Sequence, residues 1–391
     1  ENGLYINNSG TINIKNFTAT TGKVNLKDGD FIGIDVEKGN IVIGSKGIDG
    51  TNANYVELIA KTLELRGKVV ANDLKVVVGS NKIDKKGNIT EKNVNGDIAI
   101  DARNLGGMYA NKIKIISTDK GAGVNSDAFI VSKNSKLEIT ADGKIKVNKV
   151  QGKGIDIKGK EYEQKDLAYS DEDISINADK IKLSGTGTQA NKQINLNGDV
   201  ENSATIYTEE GIKTKGLTNT GIVQAINKIE VEGNLTNKGE IITSGNLTAK
   251  ETISTKKLVA KEGISTDKLE NKGIVATDKE LNINGALINR GTIQVTDKIS
   301  VKNNVDNSGE ILTNSKVNVN GTLTNDGEVK AMDNISITGN TINNGSILTN
   351  KNFVTSDLIN NQKIIVKEKI DIKNLKNTGT IASGDKFTIN G

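Results

Sequence analysis

Neither His nor Cys occurs in the 391 residues, and that decides most of what chemistry remains. The commonest general base, the thiol nucleophile and the usual transition-metal ligands are gone with them. A Ser–His–Asp arrangement is impossible. Gly185 to Lys192 reads GTGTQANK, which lacks the GxxxxGK[ST] spacing of a phosphate-binding loop. Grouped Asp residues, or an Arg beside calcium, could still cleave a polysaccharide. Here the carboxylates are scattered at outward strand positions, and the only guanidinium groups are Arg66, Arg103 and Arg290. The sequence therefore predicts no catalytic residue, no cofactor and no metal ligand, so not an enzyme; a polysaccharide hydrolase or lyase is the remote alternative. The most acidic stretch, EYEQKDLAYSDED from Glu161 to Asp173, reads as a solvated loop. A calcium site there would lack EF-hand spacing and Gly-Gly-x-Gly-x-Asp repeats, and a ligand-contact loop is the third reading.

One polar residue does recur in phase. From Leu287 the chain runs LINRGTIQVTDKISVKNN, VDNSGEILTNSKVNVNGT and LTNDGEVKAMDNISITGN, three blocks of one template, L-x-N-x-G-x-I-x-(T/A)-x-x-x-I-x-(I/V)-x-(G/N)-x. Blocks start at Leu217, Leu235, Leu269, Leu287, Val305, Leu323, Thr341, Leu358 and Leu375, with a degenerate block at Ile253. A short fixed period is the signature of a solenoid. The third position holds Asn219, Asn237, Asn271, Asn289, Asn307, Asn325, Asn343, Asn360 and Asn377. Stacked coils bring such amides about 4.8 Å apart, close enough to bond along the axis as a ladder. Asn-x-Gly as turn chemistry alone is the plainer alternative; the constant phase with the Leu two residues earlier favours the ladder.

The elements that must hold this column are short strands. Leu323, Val329, Ala331, Ile335 and Ile337 fall on alternate positions, as in a strand with one buried face, and turn residues interrupt them. Eighteen residues cannot hold a helix pair, and the Leu pattern is too sparse for leucine-rich repeats. The fold class is all-β, a right-handed parallel β-helix. One coil buries too little to offset the entropy of ordering it, so coils must stack.

Aromatic residues are 3% of the chain and Trp is absent, which suits a core of small β-branched side chains. Fifty-two basic against 48 acidic residues give a net charge of +4, spread along the length. That is a solvated surface with no basic, aromatic-interleaved footprint for nucleic acid. No apolar run reaches membrane-spanning length, and no signal peptide is seen.

Three regions follow. Residues 1–130 are strand-rich without the eighteen-residue period. Phe31 to Val36 and Ile41 to Ile43 flank Glu37-Lys38-Gly39-Asn40 as a hairpin, which would project from the coils. Val56 to Val70 suits strand or helix by periodicity. Residues 131–216 carry looser strand pairs, and residues 217–391 are the blocks. The runs ANDLKVVVGSNKID (Ala71 to Asp84) and LGGMYANKIKIISTDKGAGV (Leu105 to Val124) resemble the secretion domain of two-partner-secretion exoproteins, the filamentous haemagglutinin family that includes contact-dependent growth-inhibition toxins. NGLYINNSGTINIKNFTATTG (Asn2 to Gly22) and VELIAKTLEL (Val56 to Leu65) fit the same pattern, and the blocks resemble the family's haemagglutinin repeats.

The resemblance implies a β-helical secretion domain recognised by a dedicated outer-membrane transporter, and it makes the Val56 segment a strand. It implies export through the periplasm to the bacterial surface or medium. The partner there is a receptor or glycan on a host or neighbouring cell, with the stalk of a contact-dependent toxin as the alternative role. Members carry an upstream Asn-Pro-Asn-Leu motif and capping region, and a second motif, Asn-Pro-Asn-Gly, of which Asn2-Gly3 is the residue here. With no Pro in the chain, poor export of this stretch by itself is the expectation.

Overall fold

The structure, a computed structural model, describes residues 2–93, 98–102 and 106–391; Arg103 and Leu105 lie outside the described residues. Every regular element among them is a strand. Nearly all belong to a parallel β-solenoid, and four form a separate antiparallel sheet. By its contacts the chain divides into two compact units, 1–208 and 209–391.

In the second unit the coils stack residue for residue, and alternation makes them do so. Leu287 pairs with Val305, Val305 with Leu323 and Leu323 with Thr341, so one apolar position lies under the next. Leu323, Val329, Ala331, Ile335 and Ile337 are all buried, while Ser336 between the last two is half-exposed. The fifth position of the block is Gly for steric reasons. A Cβ on Gly309 would stand 2.0 Å from the Gly291 carbonyl oxygen, and one on Gly327 would stand 2.0 Å from that of Gly309. Only Lys256 and Gln362 replace it, each in a coil entered and left by a seventeen-residue step.

The degenerate block starts one residue earlier than Ile253. Thr252, not Ile253, pairs with Leu235 and Leu269, and Ile253 faces outward at 39% exposure. A hydroxyl in the core at the Leu position needs a partner, and Thr266 supplies it, Oγ1 to Oγ1 at 3.1 Å. Thr341 repeats the device with Thr355 at 2.8 Å. Both coils carry Thr at two facing inward positions, so neither has the Leu that marks the block.

The first unit uses longer coils. Ile41, Leu63, Ile100, Val124, Ile145, Tyr162 and Ile181 are successive partners on one inward column, and the exposed Leu4 stands in register before Ile41. The Val56 segment is strand, within Ile48–Ala60 and Thr62–Leu65. Two expectations fail here. Asp30–Val36 and Asn40–Ile43 are not hairpin partners: Asn40–Ile43 joins the solenoid, and Asp30–Val36 pairs antiparallel with Lys23–Lys27 and Ser80–Asp84. The tight turn lies earlier, at Asp28-Gly29, both with positive φ (54° and 87°), as a two-residue hairpin loop requires. Nor is Glu161 to Asp173 a solvated loop. Glu161–Ser170 is a solenoid strand with Tyr162, Gln164, Ala168 and Ser170 pointing inward. Its buried polar groups are bonded internally, which is why an inward face without Ile or Leu survives; Gln164 Nε2 donates to the Gly187 carbonyl at 2.8 Å.

Candidate functional site

The first unit is distinguished by what projects from its coils. Lys23–Lys27, Asp30–Val36, Ser80–Asp84 and Ile89–Asn93 form a four-stranded antiparallel sheet. Ile34, Val36 and Ile83 of this sheet pack with Ile59 and Val77 of the solenoid in a small core of their own. The chain leaves the solenoid for the sheet at Gly79, whose φ of 107° suits glycine. A Cβ there would meet Thr118 Oγ1 at 2.3 Å.

A buried polar knot fixes that exit. Asp119, 2% exposed, accepts from the Ser80 amide at 2.6 Å and from Lys61 Nζ at 2.5 Å, and Lys61 also donates to Ser80 Oγ at 2.8 Å. Asn81 Nδ2 donates to the Gly79 carbonyl and to Thr118 Oγ1, and Thr118 Oγ1 donates to the Val78 carbonyl. Composition and periodicity did not single out these residues. The signal lay in the resemblance, because VVVGSNKID and IISTDKGAGV are the two runs that meet here. Asp84 organises the second hairpin: its carboxylate accepts from the amides of Lys86 and Asn88, and the Asn88 bond foremost holds it below the usual Asp value. Between sheet and solenoid lies a cleft of about 590 Å³, lined among others by Val24, Phe31, Tyr55, Lys85, Lys86 and Lys112. Asn2 and Gly3 are exposed and lie just before the first coil strand, Leu4–Ile6.

The block asparagines come together in two runs. Nδ2 of Asn219 donates to Oδ1 of Asn237 at 3.0 Å. Asn271, Asn289, Asn307, Asn325, Asn343 and Asn360 each donate to the next, and Asn360 to Asn377, over 2.7–2.8 Å. Between the runs stands Ser254, which Asn237 reaches at 3.5 Å. Each amide also clamps its own turn: in Asn289, Oδ1 accepts from the Gly291 amide and Nδ2 reaches the Gly291 and Glu310 carbonyls. All are fully buried except Asn377, which is exposed. A second polar column, the T/A position of the template, had no assigned role. Thr243, Thr313 and Thr349 donate to the carbonyls of Asn227, Asp297 and Asp333 one coil back and accept from the amide two residues on.

Charge is spent in pairs on the outer faces. Lys144 and Lys146 hold Glu163, and Lys213 holds Glu230 and Glu232. The Lys144 hydrogen bond lowers the Glu163 pKa, and bonds to Glu232 and Glu230 push Lys213 up to about 12. Among the described residues no three Asp or Glu side chains group as a metal site.

The first unit is a parallel β-solenoid bearing a buttressed antiparallel sheet, and the second is made of short parallel coils stapled by Asn. Residues 1–147 match the two-partner-secretion (TPS) domain family. A tRNA nuclease CdiA from Yersinia mollaretii is 30% identical over 251 residues, 62% of this chain and 8% of the relative. A toxin CdiA from Yersinia pestis is 38% identical over 154 residues, 38% of this chain and 5% of the relative. A 16S rRNA endonuclease CdiA from Enterobacter cloacae is 28% identical over 284 residues, covering 64% and 8%. The chain thus spans less than a tenth of the length of these relatives. No solved structure matches. Residues 1–147 are thus a two-partner-secretion domain, and over as much as 64% of its length the chain is similar to contact-dependent-inhibition proteins. Exoproteins with such a domain cross the outer membrane through a dedicated transporter to the cell surface or medium. No helix among the described residues is long and apolar enough to cross a membrane.

Proposed function

We propose that this segment is the base and shaft of a surface adhesin: it carries no catalysis, and its outer faces meet a receptor or glycan on another cell. The observation that carries the reading is how the polar groups are used. The Asn and Thr columns bond inward to neighbouring coils, and many of the outer carboxylates are paired with Lys, so what is built is stiffness and repeated surface. The alternation of Lys with Glu along the outward columns also argues against nucleic acid as a partner. Beads coated with the 391-residue protein should adhere saturably to epithelial cells and be displaced by the free protein. Adhesion no greater than that of albumin-coated beads overturns the reading.

A second reading has its own support, because the relatives named above are CdiA toxins and nucleases. In that reading the same segment is the stalk of a contact-dependent toxin. Beads that bind only bacteria of a related strain, and not epithelial cells, favour it.

A further inference from the structure

The outer faces of the first unit differ in chemistry. One outward column runs Glu64, Asp101, Asn125, Lys146, Glu163, Lys182, and another runs Glu57, Lys75, Lys114, Glu138, Asp156. Both are charged and internally paired, as in Lys75–Glu57 at 2.8 Å and Lys114–Glu138 at 3.0 Å. The third column reads Tyr109, Val131, Gln151, Tyr169, Gln189, Tyr207, each the in-register partner of the next. It has no charge. Phe129, 43% exposed, stands in the adjoining outward column. Four of the chain's eleven Tyr and Phe residues therefore share one face of a protein that is 3% aromatic.

Tyr109, Tyr169 and Tyr207 are half-buried, so each leaves part of its ring at the surface. Tyr109 leans across Gly107, where a Cβ would come within 2.8 Å of its Cε2. The nearby cations are already engaged. Lys68 lies 5.6 Å from the Tyr109 ring centre; Lys149 lies 4.7 Å from that of Phe129 and pairs with Asp166 at 3.1 Å. We propose that this face is a platform for an extended, uncharged oligosaccharide, an inference that rests on the adhesive reading above. Phenol rings offer flat apolar surface with a polar tip. Gln151 and Gln189, set between the rings, offer amides that both donate to and accept from hydroxyls. An added polypeptide strand would need a free sheet edge, and these strands are paired on both sides by neighbouring coils. An anionic ligand would need cations that are not already committed. From Tyr109 to Tyr207 is five coil steps, about 24 Å at the inter-strand spacing, so the platform suits a linear chain of several sugars.

The test is calorimetric titration of the 391-residue protein with cellohexaose, laminarihexaose and chitohexaose, with a heparin hexasaccharide as the anionic comparator. At least one neutral hexasaccharide should bind, more tightly than its disaccharide. Tyr169→Ala with Tyr207→Ala should weaken it by about tenfold or more, while Tyr169→Phe stays within roughly threefold. Tyr5→Ala, on another face and 61% exposed, should change nothing. Circular dichroism of each variant separates lost binding from lost folding. Binding by none of the neutral sugars, by heparin alone, or unaltered in the double variant overturns the proposal. So does a wild-type oligomer that the double variant converts to monomer, which would make the face a contact between copies. Beads that still adhere while no sugar binds sink only this inference; sugar binding without bead adhesion sinks only the adhesive reading.

Discussion

Removing one amide from the middle of the asparagine run should cost far more than removing a surface amide. Asn289 accepts from Asn271 at 2.8 Å and from the Gly291 amide at 3.3 Å, and it donates to Asn307 at 2.7 Å. Asn289→Ala removes all three and strips a partner from the Gly291 and Glu310 carbonyls. Each lost bond is worth about 1 kcal/mol net, and a donor left unpaired at a fully buried site costs about 1–3 kcal/mol more, for a total on the order of 4–6 kcal/mol. Asn289→Asp keeps the shape but places a carboxylate against the Asn307 carbonyl oxygen with no cation beside it. Burial raises its native pKa, so the unfolded chain releases the proton first and stability falls as pH rises above the unfolded Asp value of about 3.9. Urea unfolding by circular dichroism measures the total. Amide exchange at Leu287–Asn289 and Thr292–Val295 locates it, since coils can open singly. Asn318→Ala, at a half-exposed outward position, is the control and should stay within about 0.5 kcal/mol. A loss at Asn289 below about 1 kcal/mol, or equal to the control, refutes the column as a source of stability and leaves these amides as turn residues.

Ile335→Asp should lower stability by several kcal/mol, because Ile335 is fully buried between Val317 and Phe353; Ser336→Asp should cost under about 1 kcal/mol, and equal losses in urea would reverse the face assignment. Asp119→Ala should cost about 2–3 kcal/mol, discounted because Lys61 is 25% exposed and can turn to water. Its damage should appear as faster amide exchange in Ser80–Asp84 with the solenoid strands unaffected, and uniform exchange across the unit would argue against a local fastening. Glu163, Glu230, Glu270 and Glu280 have native pKa values lowered chiefly by Lys144, Lys213, Lys272 and Lys298. Their contribution is complete above the unfolded Glu value near 4.3 and is lost as pH falls through the lower native values, so the urea midpoint should drop on acidification below about pH 4.3, less so in high salt. A midpoint that rises over that interval contradicts the pairing.

How far the sequence could be read depended on whether an inward residue was apolar. Where Leu, Ile and Val filled the inward positions, as at Leu287, Ile293 and Ile299, alternation and period gave strand, face and stacking partner together. Where polar residues took those positions, the same rules misplaced the chain. Thr252 and Thr266 satisfy each other, so the coil keeps its register while losing the Leu that marks it. Glu161–Ser170 was hidden in the same way by Tyr162, Gln164 and Ser170. The hairpin was misassigned for a different reason. Glu37 to Asn40 has turn composition, but Asp28-Gly29 has the dipeptide that two consecutive positive φ angles demand.

The knot at Asp119 shows why the fastening of the projecting sheet escaped a reading by period. Lys61, Ser80 and Asp119 are separated by 19 and 39 residues and follow three successive in-register strands, so they meet only once those strands have stacked. No local pattern encodes that meeting, and a salt bridge taken alone is weak support for a fold. Its work is positional. Gly79 turns the chain out of the solenoid, and the Ser80 amide, which has left the parallel ladder, finds its acceptor in Asp119. Without that acceptor a buried donor stands unpaired at the root of the sheet, and the small core around Ile34, Val36 and Ile83 loses its anchor to Ile59 and Val77. The repeats need only composition and phase to stack, whereas the secretion domain needs particular residues at particular exits. That difference is why periodicity could not show the knot, although its residues lie within runs that carry the family resemblance.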